Sequence, residues 1–338
     1  MESETSDNSS IRNIAVIGSG LAGLTAAIML GQSGHRVRVF EKSRGPGGRM
    51  ASKRVADGAV DVGAQYFTSR SPAFLEFLEQ YAGNNCFGSW AATFGFQQSD
   101  KSWQPFPDEP RYVGIPRMTA ITRRLSEHVE LTAQVRIARL NRIGARWQLV
   151  CTEGKEHGEF DQVVVTAPPA QTQELLAASG LTSLMNETQA PGGDILPCWA
   201  VAAYFTEAPP AAFDAMRPDS DVLYWVANNS SKPGRNDSGQ WWVLHATAEW
   251  TEANVDASPE RVSYDLLAAF RQLTGFNGAA SESVTHRWLY ARSESRVKPV
   301  YLWNQSEGVG IAGDWLVGGR VEGAWTSASR LAQAMRAG

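Results

Sequence analysis

The sequence predicts an α/β protein in which a parallel sheet is interleaved with a second, antiparallel sheet. At the start of the chain the apolar run 14–17 leads into the glycine turn 18–23, a helical pattern through Leu30, and a second apolar run that ends on Glu41. Later apolar runs are separated by polar turn residues, as in antiparallel strands, and a helical pattern follows them. The runs lie at 198–205, 221–227 and 240–247, and the helical pattern spans 259–273.

The first glycine turn predicts a dinucleotide site. A strand, a glycine turn and a helix N-terminus form the arrangement in which backbone N–H groups hold a pyrophosphate. Gly18 allows the tight turn, Gly20 lets the backbone approach the phosphates, and Gly23 lets helix and strand pack closely. Glu41 follows about 20 residues later, where an acidic residue accepts the ribose hydroxyls. An ordinary glycine-rich turn is the alternative, and it does not require strand, helix and acid in this order.

A second glycine turn narrows the type of nucleotide. Gly47-Gly48-Arg49 follows Glu41 closely, whereas NAD dehydrogenases usually continue from the acidic residue into another helix. In this position the Arg49 guanidinium is a two-pronged donor to a pyrophosphate. The alternative for Arg49 is a solvated loop arginine.

Together these motifs resemble the flavin amine oxidase superfamily, whose members bind FAD. The resemblance rests on 18–23, Glu41, 47–49, the segment 61–66, and a C-terminal strand, Gly-Asp turn and helix over 309–324. It implies a Rossmann-type FAD-binding domain of the glutathione reductase/amine oxidase type, with an interleaved α+β substrate domain built on an antiparallel sheet. The cofactor is expected to be non-covalent FAD, because the superfamily's monoamine oxidase branch tethers its flavin to a C-terminal cysteine and this chain has none after Cys198.

The resemblance also implies roles for single residues. Asp314 would hydrogen-bond the ribityl-phosphate arm, and the helix starting near Glu322 would point its N–H groups at the flavin N1/O2 edge. Val135, on a middle strand, would meet the adenine through its backbone, and 166–168 would cross near the dinucleotide. The full set of expected cofactor-binding residues is Gly18, Gly20, Leu21, Ala22, Gly23, Glu41, Lys42, Gly48, Arg49, Met50, Gly63, Ala64, Gln65, Val135, Ala167, Pro168, Gly313, Asp314, Glu322, Gly323 and Ala324.

Within the superfamily the chain is most similar to the bacterial renalases, from about Ile11 to Ala334. The segments 61–67 and 286–290 carry that similarity. It implies an FAD-dependent oxidase that takes a hydride from the 2- and 6-dihydro isomers of NAD(P)H, returns β-NAD(P)⁺, and passes the electrons to O₂ to give H₂O₂. The expected partners are therefore a small-molecule dinucleotide and O₂.

One departure from the superfamily pattern bears on the reaction. Flavin amine oxidases commonly hold a lysine near flavin N5, on the strand before the C-terminal motif, and here 286–292 contains no lysine. A dihydropyridine already carries a transferable hydride and needs no base. The alternatives that stay open are a flavin amine oxidase or desaturase acting on another small substrate, and a non-catalytic flavin-containing binding protein.

The substrate side of the site is expected to hold Tyr66, His245 and Trp288 as catalytic residues. His245 lies on an apolar strand, where a satisfied core histidine is the alternative. The chain has 12 tryptophans, of which most are expected in the core because aromatic side chains bury large areas. Trp288, with Tyr66, is expected to form cavity wall.

The predicted domain organisation is discontinuous. An FAD-binding domain takes residues 11–75, 132–175 and 285–338, a substrate-binding domain takes 76–131 and 176–284, and the polar segment 1–10 is expected to be disordered.

Composition excludes several classes of protein. A net charge of −4 gives no basic field for nucleic acid. No apolar run approaches the ~18 residues of a membrane span, and the polar, acidic N-terminus does not resemble a secretory signal, so a cytoplasmic protein is expected. Three widely spaced cysteines predict no disulfide framework and no metal site. The oligomeric state is not readable from the sequence.

Overall fold

The computed structural model describes residues 11–56, 58–192, 195–293 and 299–336, so the segment 1–10, predicted to be disordered, lies outside the described residues. The strands are β1 Asn13–Ile17, β2 Arg36–Glu41, β3 Ser52–Val55, β4 Gly58–Asp61, β5 Phe87–Ser89, β6 Phe94–Gln97, β7 Trp103–Pro105, β8 Tyr112–Gly114, β9 Glu130–Ala133, β10 Ile137–Ile143, β11 Arg146–Cys151, β12 Glu156–Phe160, β13 Gln162–Val165, β14 Ile195–Phe205, β15 Ala215–Arg217, β16 Leu223–Asn228, β17 Gln240–Ala246, β18 Glu282–Ser293, β19 Leu302–Asn304 and β20 Val309–Ile311. The α-helices are α1 Leu21–Gln32, α2 Pro72–Tyr81, α3 Thr119–Ser126, α4 Pro169–Ala178, α5 Thr182–Gly192, α6 Ala248–Ala253, α7 Pro259–Thr274 and α8 Val321–Arg336.

A six-stranded sheet in the order β19-β20-β13-β1-β2-β9 carries the first glycine turn. Strand β1 is parallel to both β13 and β2, and β20 and β9 extend the parallel set. Ile14 and Val16 pack toward α1 and α8 on one face, while Ala15 and Ile17 lie on the other face, in the core that contains Trp315. Burial on both faces explains why β1 reads as a continuous apolar run rather than an alternating one.

A seven-stranded sheet in the order β18-β14-β17-β16-β15-β6-β7 forms the second layer, and its pairs are antiparallel except for β15 with β6. One face packs on α7, where Val201 and Trp242 of the sheet lie in one core with Phe270 of the helix. The other face carries Ala200, Val243 and Trp288 against Val60 and Val62. This second face looks toward the segment that follows β4.

Smaller elements connect the two large sheets. The hairpin β3–β4 ends at Asp61, where the chain enters the predicted flavin-facing segment. Strands β5 and β8 pair beside α2 and α3, and β10, β11 and β12 form a three-stranded antiparallel sheet.

The structure confirms the predicted strands as β14, β16 and β17, the predicted helix as α7, and the first βαβ unit as β1, α1 and β2. The domain limits stay a prediction. One difference bears on them: residues 285–293, assigned by the sequence to the FAD-binding part, belong to β18 and pair with β14 in the seven-stranded sheet.

Candidate active site

Segments far apart in sequence meet at the carboxyl end of β1. The Gly47 N–H donates to Ser19 O at 3.2 Å, which places the second glycine turn on the first. The Ala64 N–H donates to Arg49 O at 2.9 Å, which adds the segment after β4. In parallel sheets ligands bind beyond the carboxyl ends of the strands, so this is the expected location for a dinucleotide.

The space around the glycines fits a closely approaching cofactor. A Cβ at Gly23 would lie 1.9 Å from Gly18 O, so only glycine lets α1 start this close to β1. A Cβ at Gly63 would lie 2.1 Å from Arg49 O. At Gly20, by contrast, an added Cβ would meet no atom within 4 Å, so the helix N-terminus opens onto free space where a pyrophosphate would be held.

Glu41 is buried at the end of β2, and its carboxylate is held in place. One oxygen accepts from the Ser19 N–H at 2.9 Å and the Ser19 hydroxyl at 2.8 Å, and the other accepts from the Ser43 N–H at 2.8 Å. The carboxylate is thereby fixed beside the first glycine turn, where ribose hydroxyls would be bound.

Arg49 and Asp314 form a two-pronged ion pair. Arg49 Nη1 donates to Asp314 Oδ2 at 2.9 Å, and Nη2 donates to Oδ1. Asp314 is 9% exposed at its side chain and Arg49 30%. The pair joins the second glycine turn to the C-terminal Gly-Asp turn, so the two residues expected at the phosphate arm lie together.

Helix α8 begins at Val321, as expected for the helix that points at the flavin N1/O2 edge. Gly323 lies in its first turn, where the N–H groups have no carbonyl partner within the helix, whereas the Ala324 N–H donates to Arg320 O at 3.3 Å. The Glu322 side chain has a different role: its carboxylate accepts from the N–H groups of Arg70 and Ser71, at 3.1 and 2.7 Å for Oε1. It therefore caps the start of α2, and only its backbone is left for a cofactor.

Several expected cofactor residues have side chains engaged elsewhere. Leu21, Ala22 and Met50 are buried in the apolar cores, so any contact they make with FAD would be through the backbone. Lys42 is exposed and donates to Gln171 at 3.1 Å. The Gln65 amide donates to Asp61 O and to Gly63 O, the latter at 3.1 Å, and is turned into the protein.

The structure matches only part of what was expected for the cofactor residues in the middle of the chain. Val135 was expected on a strand, but it lies in the connection between β9 and β10, and its N–H donates to Glu41 O at 2.9 Å. That expectation was wrong because the strand ends two residues earlier. Ala167 and Pro168 follow β13 as expected, and Ala167 O accepts from Trp315 Nε1 at 3.3 Å. Gly313 donates its N–H to Ser327 on α8 at 3.0 Å.

On the substrate side, His245 and Trp288 converge on one carbonyl. His245 Nε2 lies 3.1 Å from Val62 O, and Trp288 Nε1 donates to the same oxygen at 3.0 Å. Since a carbonyl oxygen only accepts, Nε2 of His245 carries the proton and Nδ1 is left as an acceptor. Burial lowers the pKa of His245 to about 4, so the ring is neutral at pH 7.

The Trp288 ring also lies 3.4 Å from the position that a Cβ on Gly63 would take, so it covers this turn. Its neighbour His286 stands edge-on to it, with ring centroids 4.4 Å apart. Burial lowers the pKa of His286 to about 4 as well.

Tyr66 lies in an aromatic environment next to a cation. Its ring is 5.6 Å from Trp225 and 5.8 Å from Phe94, and the Arg111 guanidinium is 5.8 Å from its centroid. Trp225 pairs in register with His245, so their side chains share a face of the sheet. His245 and Trp288 therefore lie against the turn at Val62, whereas Tyr66, which follows that turn in the chain, packs against Trp225 and Phe94.

Comparisons with known proteins agree with this arrangement. Residues 16–81 match the family model for an NAD(P)-binding Rossmann-like domain, and residues 78–336 match that for flavin containing amine oxidoreductases. The second match covers more than three quarters of the chain. The chain belongs to the flavin-containing amine oxidoreductase family. Its cofactor is FAD, and its fold is a Rossmann-like domain joined to an amine oxidase fold.

Among curated proteins, the L-amino acid oxidase Cdc18 of Crotalus durissus cumanensis is 30% identical over 92 residues, 27% of this chain and 17% of that protein. The 4-hydroxybenzoate brominase (decarboxylating) of Marinomonas mediterranea is 26% identical over 179 residues, 52% of this chain and 30% of that protein. The matched regions thus span less than a third of these relatives.

Solved structures share the fold at low identity. A putative protoporphyrinogen oxidase from Exiguobacterium sp. 255-15 superposes with a TM-score of 0.76 at 11% identity, covering 97% of this chain and 99% of that one. Cyclohexylamine oxidase from Brevibacterium oxydans IH-35A gives a TM-score of 0.74 at 12% identity, with the same coverage.

In this flavin-containing oxidoreductase, sequence reasoning missed a buried ionic cluster. Lys232 and Arg235 both pair with Asp61, and the side chains of Asp61, Lys232 and Arg235 are 0%, 0% and 2% exposed. Asp61 ends an apolar strand, which is a weak signal for a function. Lys232 and Arg235 lie in a polar turn after β16 that looks like solvated loop.

The sequence also did not single out the arginines near the substrate side. The Arg292 guanidinium lies 4.0 Å from the Tyr224 ring centroid, and that of Arg217 lies 4.7 Å from the same ring. Arg292 is also close to Cys198. Burial raises the pKa of the Cys198 thiol to about 12, and the positive charge of Arg292 acts in the opposite direction.

All three cysteines are free thiols. Among the described residues no group of histidine, cysteine and acidic side chains is arranged to hold a metal ion. The helices within the described ranges include none with the length and apolar character needed to cross a bilayer.

Proposed function

We propose that this protein is an FAD-dependent oxidase of the 2- and 6-dihydro isomers of NAD(P)H, of the renalase type. The observation that carries the proposal is the combination of flat rings at the 62–66 segment with two arginines on the Tyr224 ring. Trp288 and Tyr66 offer aromatic surface for a flat heterocycle, and Arg292 and Arg217 flank the Tyr224 ring. Guanidinium groups bind phosphates with paired donors, and a dinucleotide carries phosphates.

Arg292 and Lys232, the two cations whose charges reach His245, disfavour a charged amine as the substrate. An alkylammonium substrate would enter a site in which Arg292 and Lys232 both already contribute, after burial, to the lowered pKa of His245. Like charges in a partly desolvated site repel, whereas the phosphates of a dinucleotide are attracted.

Bound FAD supplies the two-electron acceptor for the hydride of the dihydropyridine C–H bond, and O₂ then takes the two electrons with two protons to give H₂O₂. The chain supplies binding and orientation. His245 and Trp288 hold Val62 O and with it the Val62–Gly63 peptide, and the neutral His245 keeps Nδ1 as an acceptor for a substrate amide. No residue has to remove a proton from the dihydropyridine.

Anaerobic mixing tests the proposal. We expect the visible flavin band of the purified protein to bleach in proportion to the 2- and 6-dihydro content of an NADH sample, and not to bleach with isomer-free NADH. Bleaching by benzylamine or cyclohexylamine, without bleaching by the isomers, would overturn it in favour of amine oxidation. That second candidate is favoured by the family match over 78–336.

A matched pair of variants tests the phosphate contact. Arg217→Met should raise the isomer concentration needed for half-maximal bleaching rate by about tenfold, the loss of one charge-assisted contact. The variant should not change the concentration of 1-methyl-dihydronicotinamide needed for the half-maximal bleaching rate, because this compound carries no phosphate. Arg287→Met is the control, because Arg287 lies over Trp199 on the α7 side of the sheet.

A further inference from the structure

The ionic cluster behind the flavin-facing turn consists of one carboxylate and two cations. Lys232 Nζ is 3.2 Å from Asp61 Oδ2, and Arg235 Nη2 donates to the same oxygen at 2.5 Å. Asp61 Oδ1 accepts from the Met118 N–H at 2.9 Å and from Ser52 at 2.7 Å. Asp61 is the only acidic side chain, among those described, that pairs with either cation, so the cluster has a net charge of +1.

Burying an unbalanced positive charge is costly, because water can no longer solvate it. The cost is evident at Lys232: burial lowers the pKa of its ammonium to about 8, with the Asp61 charge opposing the shift. Aromatic and amide groups help to hold the cation. Its Nζ is 5.3 Å from the Trp90 ring centroid and 3.3 Å from Asn229 Oδ1. None of these groups supplies the missing negative charge.

The cluster is directly connected to the turn that faces the cofactor. Lys232 Nζ donates to Gln65 Oε1 at 3.0 Å, and Gln65 Nε2 donates to Gly63 O at 3.1 Å. The charge of Lys232 also lowers the pKa of His245, which donates to Val62 O. Lys232 is therefore two hydrogen bonds from Gly63.

We propose that the net positive cluster Asp61–Lys232–Arg235 positions the 62–65 turn and stabilises the negative charge that bound flavin gains when it accepts an electron pair. A unit charge acting over about 10 Å at an effective dielectric of about 20 changes such an equilibrium constant by about tenfold. Lys232 and Arg235 are positioning residues here, because they act through Gln65 and Asp61. The inference needs bound FAD but not the proposed substrate.

Sulfite binding to the holoprotein tests the charge effect without turnover. The sulfur lone pair forms a bond to flavin N5, and the displaced electron pair leaves the ring system with a negative charge, so the visible band is lost. We expect Lys232→Met to weaken sulfite binding at least tenfold at pH 7 with FAD content unchanged. The midpoint potential should fall by about 30 mV for each tenfold change in a two-electron equilibrium.

The double variant Lys232→Met/Asp61→Asn separates charge from structure. It restores the net charge of +1 through Arg235, so sulfite affinity should return to within about threefold of the original protein. A purely structural role predicts a double variant at least as weak as the single one, and that result would overturn the proposal, as would an unchanged affinity in Lys232→Met.

Lys101→Met is the matched control, since it removes an exposed lysine paired with Asp219, and it should leave sulfite binding unchanged. If Lys232→Met does not retain FAD, then Arg235→Met, alone and with Asp61→Asn, provides the same comparison on the second cation.

Discussion

Arg49 and Asp314 lie 265 positions apart in the chain and bind each other through both terminal guanidinium nitrogens and both carboxylate oxygens. Each was expected from the sequence to contact the phosphate arm of FAD. Their pairing joins the second glycine turn to the Gly-Asp turn that precedes α8. It also keeps the cation oriented, so that binding the pyrophosphate needs little reorganisation.

Arg49→Ala should weaken FAD retention. The loss of a charge-assisted pair costs about 1.5–3 kcal/mol, or about 10- to 100-fold in the dissociation constant. FAD released on gel filtration measures the effect. Arg44→Ala, an exposed arginine in the same loop, is the control and should retain FAD fully. Equal retention in both variants would remove Arg49 from the cofactor site.

Gly63→Ala should disrupt the site sterically. The added Cβ would lie 2.1 Å from Arg49 O, so the 62–65 turn has to move away from the second glycine turn. We expect lower FAD content and a lower melting temperature. Gly31→Ala is the matched control: its Cβ meets nothing within 4 Å inside α1, and alanine there should stabilise by about 0.5–1 kcal/mol. A Gly63→Ala protein as stable as Gly31→Ala would contradict the close contact.

His245→Ala should slow anaerobic flavin reduction by about fivefold or more, with FAD content unchanged. It removes one of the two donors that hold Val62 O, a hydrogen bond worth ~1 kcal/mol, and leaves Trp288 to hold the peptide alone. Stopped-flow absorbance of the flavin band measures the rate. An unchanged rate would make His245 a core residue of β17.

The lowered pKa of His245 predicts a pH dependence of stability. Its folded-state pKa of about 4 lies below the usual 6.5, so protons bind the unfolded chain more tightly. The stabilisation is fully present above pH 6.5 and is lost as the pH falls through about 4. Between pH 7 and pH 5 the melting temperature should therefore drop less in His245→Asn than in the original protein. In His128→Asn, which changes an exposed histidine, the melting temperature should drop as much as it does in the original protein.

Glu322→Ala should destabilise the fold without releasing FAD. The Glu322 carboxylate caps the N-terminus of α2, and loss of such a cap costs about 1 kcal/mol. The N–H groups at the start of α8 remain for the cofactor. Thermal unfolding and FAD content, measured on the same sample, separate the two roles; a large loss of FAD at unchanged stability would assign the side chain to the cofactor.

The parts of the site that the sequence predicted are those with local signals. The glycine turn 18–23 and the Gly-Asp turn before α8 each lie between a strand and a helix, and Glu41 ends the strand that follows α1, so local geometry determines their positions. Asp61 and Lys232 show the limit of such reasoning. They are 171 positions apart, and their contact depends on how the turn after β16 packs on the hairpin β3–β4.

The tryptophans and Val135 show a second limit. Trp199, Trp225, Trp241 and Trp242 are buried, as predicted for most tryptophans. However, the sequence could not indicate that Trp225 shares a sheet face with His245 while Trp242 faces α7, because strand register decides this. Val135 was misplaced because strand ends depend on tertiary pairing more than on local apolar character.

The path of the chain between the two large sheets has a consequence for how the molecule can be divided. The six-stranded sheet takes β1 and β2, the seven-stranded sheet β6 and β7, and the chain then returns for β9 and β13, leaves again for β14 to β18, and ends in β19 and β20. A single cut within β14–β18 would leave strands of both sheets in each fragment. Neither sheet can therefore be expressed as a contiguous segment of the chain.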